Sequence, residues 1–422
     1  MTDPELAAHV ADGGRLRALV LELWQRTRMD WGFVTDRLAI AFRKEKWLGA
    51  HERRFVGEVL YGLVRHLRRV DLALERGRKT QQAPRDLERL LALLVLEKLL
   101  EPARAARAVP DLDWTAVAGA DDAIARLRDR TERLAFACSL PDWLAARMVA
   151  DWGAEAEALA RALNERAPMT VRANLLVVAS RDELALPLAT HAGKWSDTAV
   201  IVDERANLFS LEAFQRGAFE AQDEGSQLLA DLVVACARRD KPLVIDYCAG
   251  AGGKTLAIAA RLGNRGRVVA TDIDDGKLAE LRRRARRAQV TNAQALLVDD
   301  RALDAHRGKA DVVFVDAPCT GTGALRRNPE ARWRLREADV AGFAARQREI
   351  LARARELCAP DGRVVYATCS ILRAENEDVI AGEPLIPAAG LVRAELARGD
   401  CFTVTPHQHG TDGFFAAALG HR

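Results

Sequence analysis

Two cysteines each close a predicted strand, in Asp316-Ala317-Pro318-Cys319 and in Ala367-Thr368-Cys369-Ser370. A thiolate is a strong nucleophile, and Asp316 adds a proton-handling group just before Cys319. Buried thiols are the competing reading, because free cysteine is among the most buried residue types. The neighbours favour chemistry. Pro318 and Thr320-Gly321-Thr322-Gly323 make a loop, and Glu375-Asn376-Glu377 follows the second cysteine. Beside a methyl sulfonium, a thiolate suits methylation of pyrimidine C5. Sulfur adds to C6, C5 becomes carbanion-like and takes the methyl group, and the C5 proton and the thiol then leave. A carboxyl group that is at least partly protonated can serve N3 during attack.

A methyl donor needs its own site. Asp246-Tyr247-Cys248-Ala249-Gly250-Ala251-Gly252-Gly253-Lys254-Thr255 follows the apolar run Leu243-Val244-Ile245 and precedes the helical run Leu256-Ala257-Ile258-Ala259-Ala260. This reads as a buried strand, a glycine-rich turn and a helix N-terminus with unpaired N–H groups. A phosphate-cradling NTPase loop needs glycine where Cys248 stands. A dinucleotide fingerprint needs Gly or Ala where Thr255 stands. Left are an adenosyl ligand without a pyrophosphate, such as S-adenosylmethionine, and a glycine turn with no ligand. Asp272 lies about twenty residues past the glycines, where a carboxylate can accept both ribose hydroxyls; a helix N-cap is its other reading. Asp299 or Asp300 ends the next strand and can accept from an adenine amino group.

These residues need a frame that sets strand ends side by side. Strands are expected at 243–248, 267–273, 293–299, 311–317 and 362–368, with helices between, notably Lys277 to Ala288 and Val340 to Cys358. The alternation predicts an α/β fold, a Rossmann-like parallel sheet that binds ligands at the carboxyl ends of its strands. Three parts are expected: 1–135, all helical; 136–235, a small α+β module; and 236–422, the catalytic domain. In the second part, Ser180-Arg181-Asp182-Glu183 has the spacing of a capping box.

With 422 residues, 49% of them hydrophobic and 29% charged, the chain suits a multi-domain globular protein. Acidic residues at 3, 5 and 12 and the lack of an apolar run argue against a signal peptide or a membrane span, so a cytoplasmic location is expected. The seven cysteines include no CxxC pair, so no metal site is expected. Net charge is only +3, but 43–85 holds twelve Lys/Arg against five Asp/Glu. Such a segment is either a phosphate-backbone footprint or a solvated helix face.

Together, Asp246–Thr255, Asp316–Gly323 with Arg326-Arg327-Asn328-Pro329, and Ala367–Ser370 with Glu375-Asn376-Glu377 resemble the motifs of the Nop/Sun-type RNA cytosine-5 methyltransferases. Arg172-Ala173-Asn174, Gln222-Asp223-Glu224-Gly225-Ser226-Gln227 and Asp412-Gly413-Phe414-Phe415 also match, and the resemblance spans 136–422. It is nearest to the bacterial 16S ribosomal RNA enzymes of the Sun/Fmu type. Glu52 to Arg65 resembles a helix of NusB-like RNA-binding domains.

The resemblance implies S-adenosylmethionine as cofactor and RNA, 16S ribosomal RNA, as partner. It places the nucleophile on Cys369, product release on Cys319, the acid on Asp316 and Lys254 beside the chemistry. It assigns the cofactor to Cys248, Ala249, Gly250, Ala251, Gly252, Gly253 and Lys254, with Asp272 at the ribose, Asp299 or Asp300 at the adenine, and Asp316. The basic segment 43–85, the run Arg282 to Arg287 and Arg326-Arg327 are then phosphate contacts. A tRNA-directed enzyme of the same chemistry and a non-catalytic assembly factor are the alternatives. In the family the first motif commonly reads Cys-Ala-Ala-Pro-Gly-Gly-Lys-Thr, and here Gly250-Ala251 stands in place of Ala-Pro. Proline pre-sets φ and glycine does not, so a looser loop is expected.

Overall fold

The computed structural model describes residues 3–78, 82–204, 206–298 and 303–420. They form two compact units: Met1–Glu165 with Leu325–Glu337, and Arg166–Ala324 with Ala338–Arg422. No helix among the described residues is long and apolar enough to cross a membrane.

In the first unit every regular element among the described residues is helical. The Ala50–Gly77 helix is the longest and buries Phe55, Val59, Leu60 and Leu63, the apolar stripe expected from 3.6-residue spacing. It kinks at His66 (φ −117°, ψ 17°). The kink has an identifiable cause. The Trp333 indole donates to the Val64 carbonyl at 2.9 Å, and the Ser139 hydroxyl accepts the Arg69 N–H at 3.1 Å. Groups of the helical ladder are thus satisfied from outside the helix. Arg332, beside Trp333, is 1% exposed and donates to the Cys138 carbonyl and Asn164 Oδ1, both at 2.9 Å. The segment that follows the Pro-Cys loop in sequence is therefore part of the helical core.

The second unit holds two sheets. The smaller is antiparallel: β1 (Met169–Ala173), β2 (Thr190–Ala192), β3 (Ala199–Val202) and β4 (Phe219–Ala221), in the order β2-β3-β1-β4. The capping box expected at Ser180 is not formed. Arg181–Glu183 is a single 3-10 turn with no side-chain cap, because the Glu183 carboxylate accepts from the Ala179 N–H instead. Asn174 ties this sheet to the larger one: its amide donates to the Gly217 and Ala288 carbonyls, both at 2.8 Å. The Ala288 carbonyl lies just past the end of the Asp275–Arg287 helix, where carbonyls lack intrahelical partners.

The larger sheet contains β5 (Leu243–Asp246), β6 (Arg267–Asp272), β7 (Ala293–Leu297), β8 (Ala310–Asp316) and β9 (Cys358–Thr368), all parallel, in the order β7-β6-β5-β8-β9. These are the five expected strands. An antiparallel edge extends them beyond the expected all-parallel sheet: β13 (Phe414–Leu419) on β9, β12 (Cys401–Val404) on β13, β11 (Ala397–Arg398) on β12, and β10 (Leu385–Ile386) on β13. All six β13 residues are buried, so its run lacks the alternation that signals a strand. Strand order reverses at β5, which leaves a crevice at the carboxyl ends of β5 and β8.

Gly217 sits at φ +77°, and a Cβ there would overlap the Arg287 carbonyl oxygen. Gly217→Ala should therefore cost ~3 kcal/mol or more and lower Tm by ~6–12 °C. A thermal scan with an unchanged midpoint would show that this close approach is not required.

Candidate active site

The glycine turn occupies the crevice. Tyr247 N–H donates to the Phe314 carbonyl and Ala249 N–H to the Thr271 carbonyl, both at 2.8 Å, so neighbouring strands hold the turn. Gly250 and Gly252 have φ of +54° and +86°. A side chain at Gly250 would point into open space, whereas one at Gly252 would strike Leu281 at 2.5 Å. The two glycines thus serve ligand approach and helix packing, respectively.

A cavity of about 580 Å³ opens here, lined by Cys248, Gly250, Asp272 and Asp316 among the sequence candidates. Its volume is that of a small-molecule site. Asp272 accepts from Gly250 N–H at 2.8 Å and from Asp274 N–H at 3.0 Å, so its carboxylate is fixed at the rim with lone pairs to spare. The helix N-cap is Asp274. The exposed residue Ile273, 71% accessible, and Val298 supply apolar lining suited to a flat base. Gly342, Arg346 and Glu349 of the Glu337–Leu357 helix form another wall that sequence reasoning missed. No motif marks that helix. Ala249, Ala251, Gly252, Gly253 and Lys254 do not line the cavity. Asp299 and Asp300 lie outside the described residues.

The chemical groups meet at the ends of β8 and β9. Lys254 Nζ is 2.6 Å from Asp316 Oδ2. Burial works against the Lys254 charge, but the Asp316 carboxylate outweighs it and holds the ammonium above its usual pKa, with the Cys369 thiol acting in the same direction. Cys319 Sγ is 3.4 Å from Cys369 Sγ. The hydrogen bond to Cys369, followed by burial, pushes the Cys319 thiol well above its usual pKa. Within the pair, Cys319 is the thiol that holds its proton more tightly. Burial also raises Cys138, Cys236, Cys358 and Cys401 to about 11, which marks them as inert core thiols.

Glu375 holds the two cysteine loops together. It is 0% exposed, accepts the Thr320 N–H at 2.9 Å and the Thr320 and Ser370 hydroxyls at 2.5 Å, and receives Gln347 Nε2 at 3.1 Å. Asn376 accepts from the Thr368 hydroxyl at 2.5 Å and donates to the Ser370 carbonyl at 3.0 Å. The Glu375-Asn376 motif was visible in the sequence, but its partners were not.

Several expected phosphate contacts have other work. Arg69 pairs with Glu97 and Asp121, both at 2.7 Å, Arg68 with Asp142 at 2.6 Å, and Arg78 with Glu88. Arg284 and Arg287 share Glu220, and Arg326 is 5% exposed. These residues pair with neighbouring acids or are buried, and are not positioned as a phosphate footprint. Arg43, Lys44, Lys46, Arg54 and Arg76 are on the surface. Lys79 lies outside the described residues.

The family described as "16S rRNA methyltransferase RsmB/F" matches residues 233–420, and the "Methyltr_RsmF/B-like, ferredoxin-like domain" matches 140–207. The Mycobacterium tuberculosis protein Rv1407 is 39% identical over 300 residues, which is 68% of this chain and 64% of its own length. This chain thus matches less than two thirds of that relative. Ribosomal RNA small subunit methyltransferase B of Shewanella oneidensis is 30% identical over 303 residues, 69% of either chain. Among solved structures, PH0851 shares the fold over 95% of this chain and 97% of its own, with a TM-score of 0.73 and 24% identity. NSun6 from Pyrococcus horikoshii, solved with SFG, shares the fold over 66% of this chain and 98% of its own, with a TM-score of 0.58 and 21% identity.

Asp246, 1% exposed, adds a pH dependence. Burial pushes its carboxyl up to about 7, against the opposing hydrogen bond from Thr255. The folded pKa lies above the unfolded value of 3.8, so this contribution to stability is complete below pH 3.8 and is lost as pH rises through about 7. Asp246→Asn should lose less Tm than the unaltered chain between about pH 5 and pH 8. Parallel Tm profiles for the two proteins would refute the assignment.

Proposed function

Because the chain belongs to the 16S rRNA methyltransferase RsmB/F family, we propose that it methylates C5 of cytosine in RNA, with 16S ribosomal RNA as substrate. The observation that carries this reading is the pair of thiols 3.4 Å apart, next to the Lys254–Asp316 pair. The RNA-binding share falls to the helical N-terminal residues 1–135, the α+β module to 136–235 and the chemistry to 236–422.

The cavity fits S-adenosylmethionine through the open face at Gly250, the fixed carboxylate of Asp272 and the apolar Ile273. When bound there, that cofactor supplies an electrophilic methyl group on a positively charged sulfur. Gly250 and Cys248 would hold it, with Asp272 placed to accept from the ribose, and the adenine would fall to Asp299 or Asp300, which lie outside the described residues.

Cys369 adds through sulfur to C6 of cytosine, and the C5=C6 electron pair moves toward C5 and N3. The sequence called for a partly protonated Asp316 at N3. Paired with Lys254, Asp316 is better suited to accept from the cytosine amino group, while the Lys254 ammonium donates toward N3. After methyl transfer the C5 proton is lost to water, and the C6–S bonding pair returns to Cys369. Cys319 keeps its proton and hydrogen-bonds the departing thiolate, which stabilises it as a leaving group.

Cys369→Ala should lower the methylation rate by ~10³-fold or more. Cys319→Ala should instead slow release, so that a covalent RNA–protein complex accumulates on a denaturing gel. Methyl transfer persisting in Cys369→Ala would overturn the nucleophile assignment. Bisulfite sequencing of total RNA with and without the protein tests the substrate, and a lost tRNA signal in place of a ribosomal one would move the assignment to tRNA.

A further inference from the structure

The donor loop contains no proline to restrict its backbone. Gly250 and Gly252 are both in the left-handed region, and Ala251 lies between them. Two side chains on one face of the Asp275–Arg287 helix meet this loop, spaced i, i+3. Leu281 fills the space beside Gly252, and Arg284 Nη1 donates to the Ala251 carbonyl at 2.8 Å. Arg284 is held in turn, because its Nη2 donates to Glu220 Oε2 at 3.1 Å. Arg287 pairs with the other oxygen of the same carboxylate and lies 3.8 Å over the Phe214 ring. Glu220 is on β4 and 3% exposed, so it cannot turn away into solvent.

We propose that Arg284, anchored by Glu220, is a positioning residue for the methyl donor, and the proposal rests on the S-adenosylmethionine reading of the cavity. The Ala251 carbonyl and the Gly252 N–H belong to one peptide plane. The Gly252 N–H is bonded to the Ala249 carbonyl at 2.9 Å, and Arg284 holds the other end of that plane. The plane is therefore fixed at both ends while Gly250 faces the cavity. A proline at this position would restrict the backbone from within through its ring. Here an arginine restricts it from outside. The loop is ordered before the ligand arrives, so binding does not have to bear the entropy of ordering it. The arginine run thus contains a cofactor brace, and the small sheet carrying Glu220 is mechanically part of the donor site.

The test is calorimetric binding of S-adenosylmethionine to the full chain. Arg284→Met should raise Kd about tenfold, as expected for loss of one charge-assisted hydrogen bond, with kcat at saturating cofactor within about twofold. Arg284→Lys keeps the charge but not the two-pronged reach, so it should shift Kd in the same direction and covers the case of a methionine variant that does not fold. Adding Ala251→Pro to Arg284→Met should restore Kd to within about threefold, a rescue that a merely structural arginine does not predict. Unchanged affinity in both Arg284 variants would overturn the brace, and so would a weakened affinity that Ala251→Pro fails to recover. If the unaltered chain does not bind S-adenosylmethionine, the cofactor reading itself fails, which is a separate result from an intact affinity that ignores Arg284.

Discussion

One buried carboxylate joins the parts on which the proposed chemistry depends. Glu375 has no access to water and is satisfied by donors from the loop after β8, the loop after β9 and the Glu337–Leu357 helix. A buried polar group is tolerable only when its hydrogen-bond partners are present, so the three segments form one cooperative arrangement. The 3.4 Å separation of the two thiols follows from it, because Thr320 is adjacent to Cys319 and Ser370 is adjacent to Cys369. The same helix that donates Gln347 to Glu375 also lines the cavity with Gly342 and Arg346. The nucleophile pair and the donor cavity are therefore set by a common group.

A second constraint is topological. Strand order reverses at β5, and the turn after β5 opens toward the end of β8. Lys254, on the first turn of the helix after the glycines, spans that opening to Asp316. The pair offsets the desolvation of both charges and leaves them beside the thiols. Asp246, one strand end away and fully buried, accepts from the Thr255 hydroxyl, and burial pushes its carboxyl up to about 7.

Several arginines in this chain work inside the protein. Arg69, Arg78, Arg284 and Arg332 tie helices, loops and sheet edges through planar, multi-pronged contacts that lysine cannot reproduce. A charge count along the sequence cannot distinguish such ties from a phosphate-binding face. Both need clustered guanidinium groups, and only the acids and carbonyls opposite them differ.

The parallel strands, the glycine turn and the strand-end groups Asp316, Cys319 and Cys369 were legible in the sequence, while Lys254 was expected only from the family resemblance. The strands, the turn and the strand-end groups depend on local pattern: apolar runs, turn residues, and polar residues that end strands in an alternating α/β chain. The donor-loop brace at Arg284 and the role of Glu375 were not legible, since both are contacts between segments far apart in the chain. The antiparallel edge was also missed, because a fully buried strand has no alternation. Sequence by itself determined which chemical groups stand at the strand ends. Tertiary structure decided which of them meet, which keep their protons and what holds them, because distance, burial and partner geometry arise only when remote segments pack.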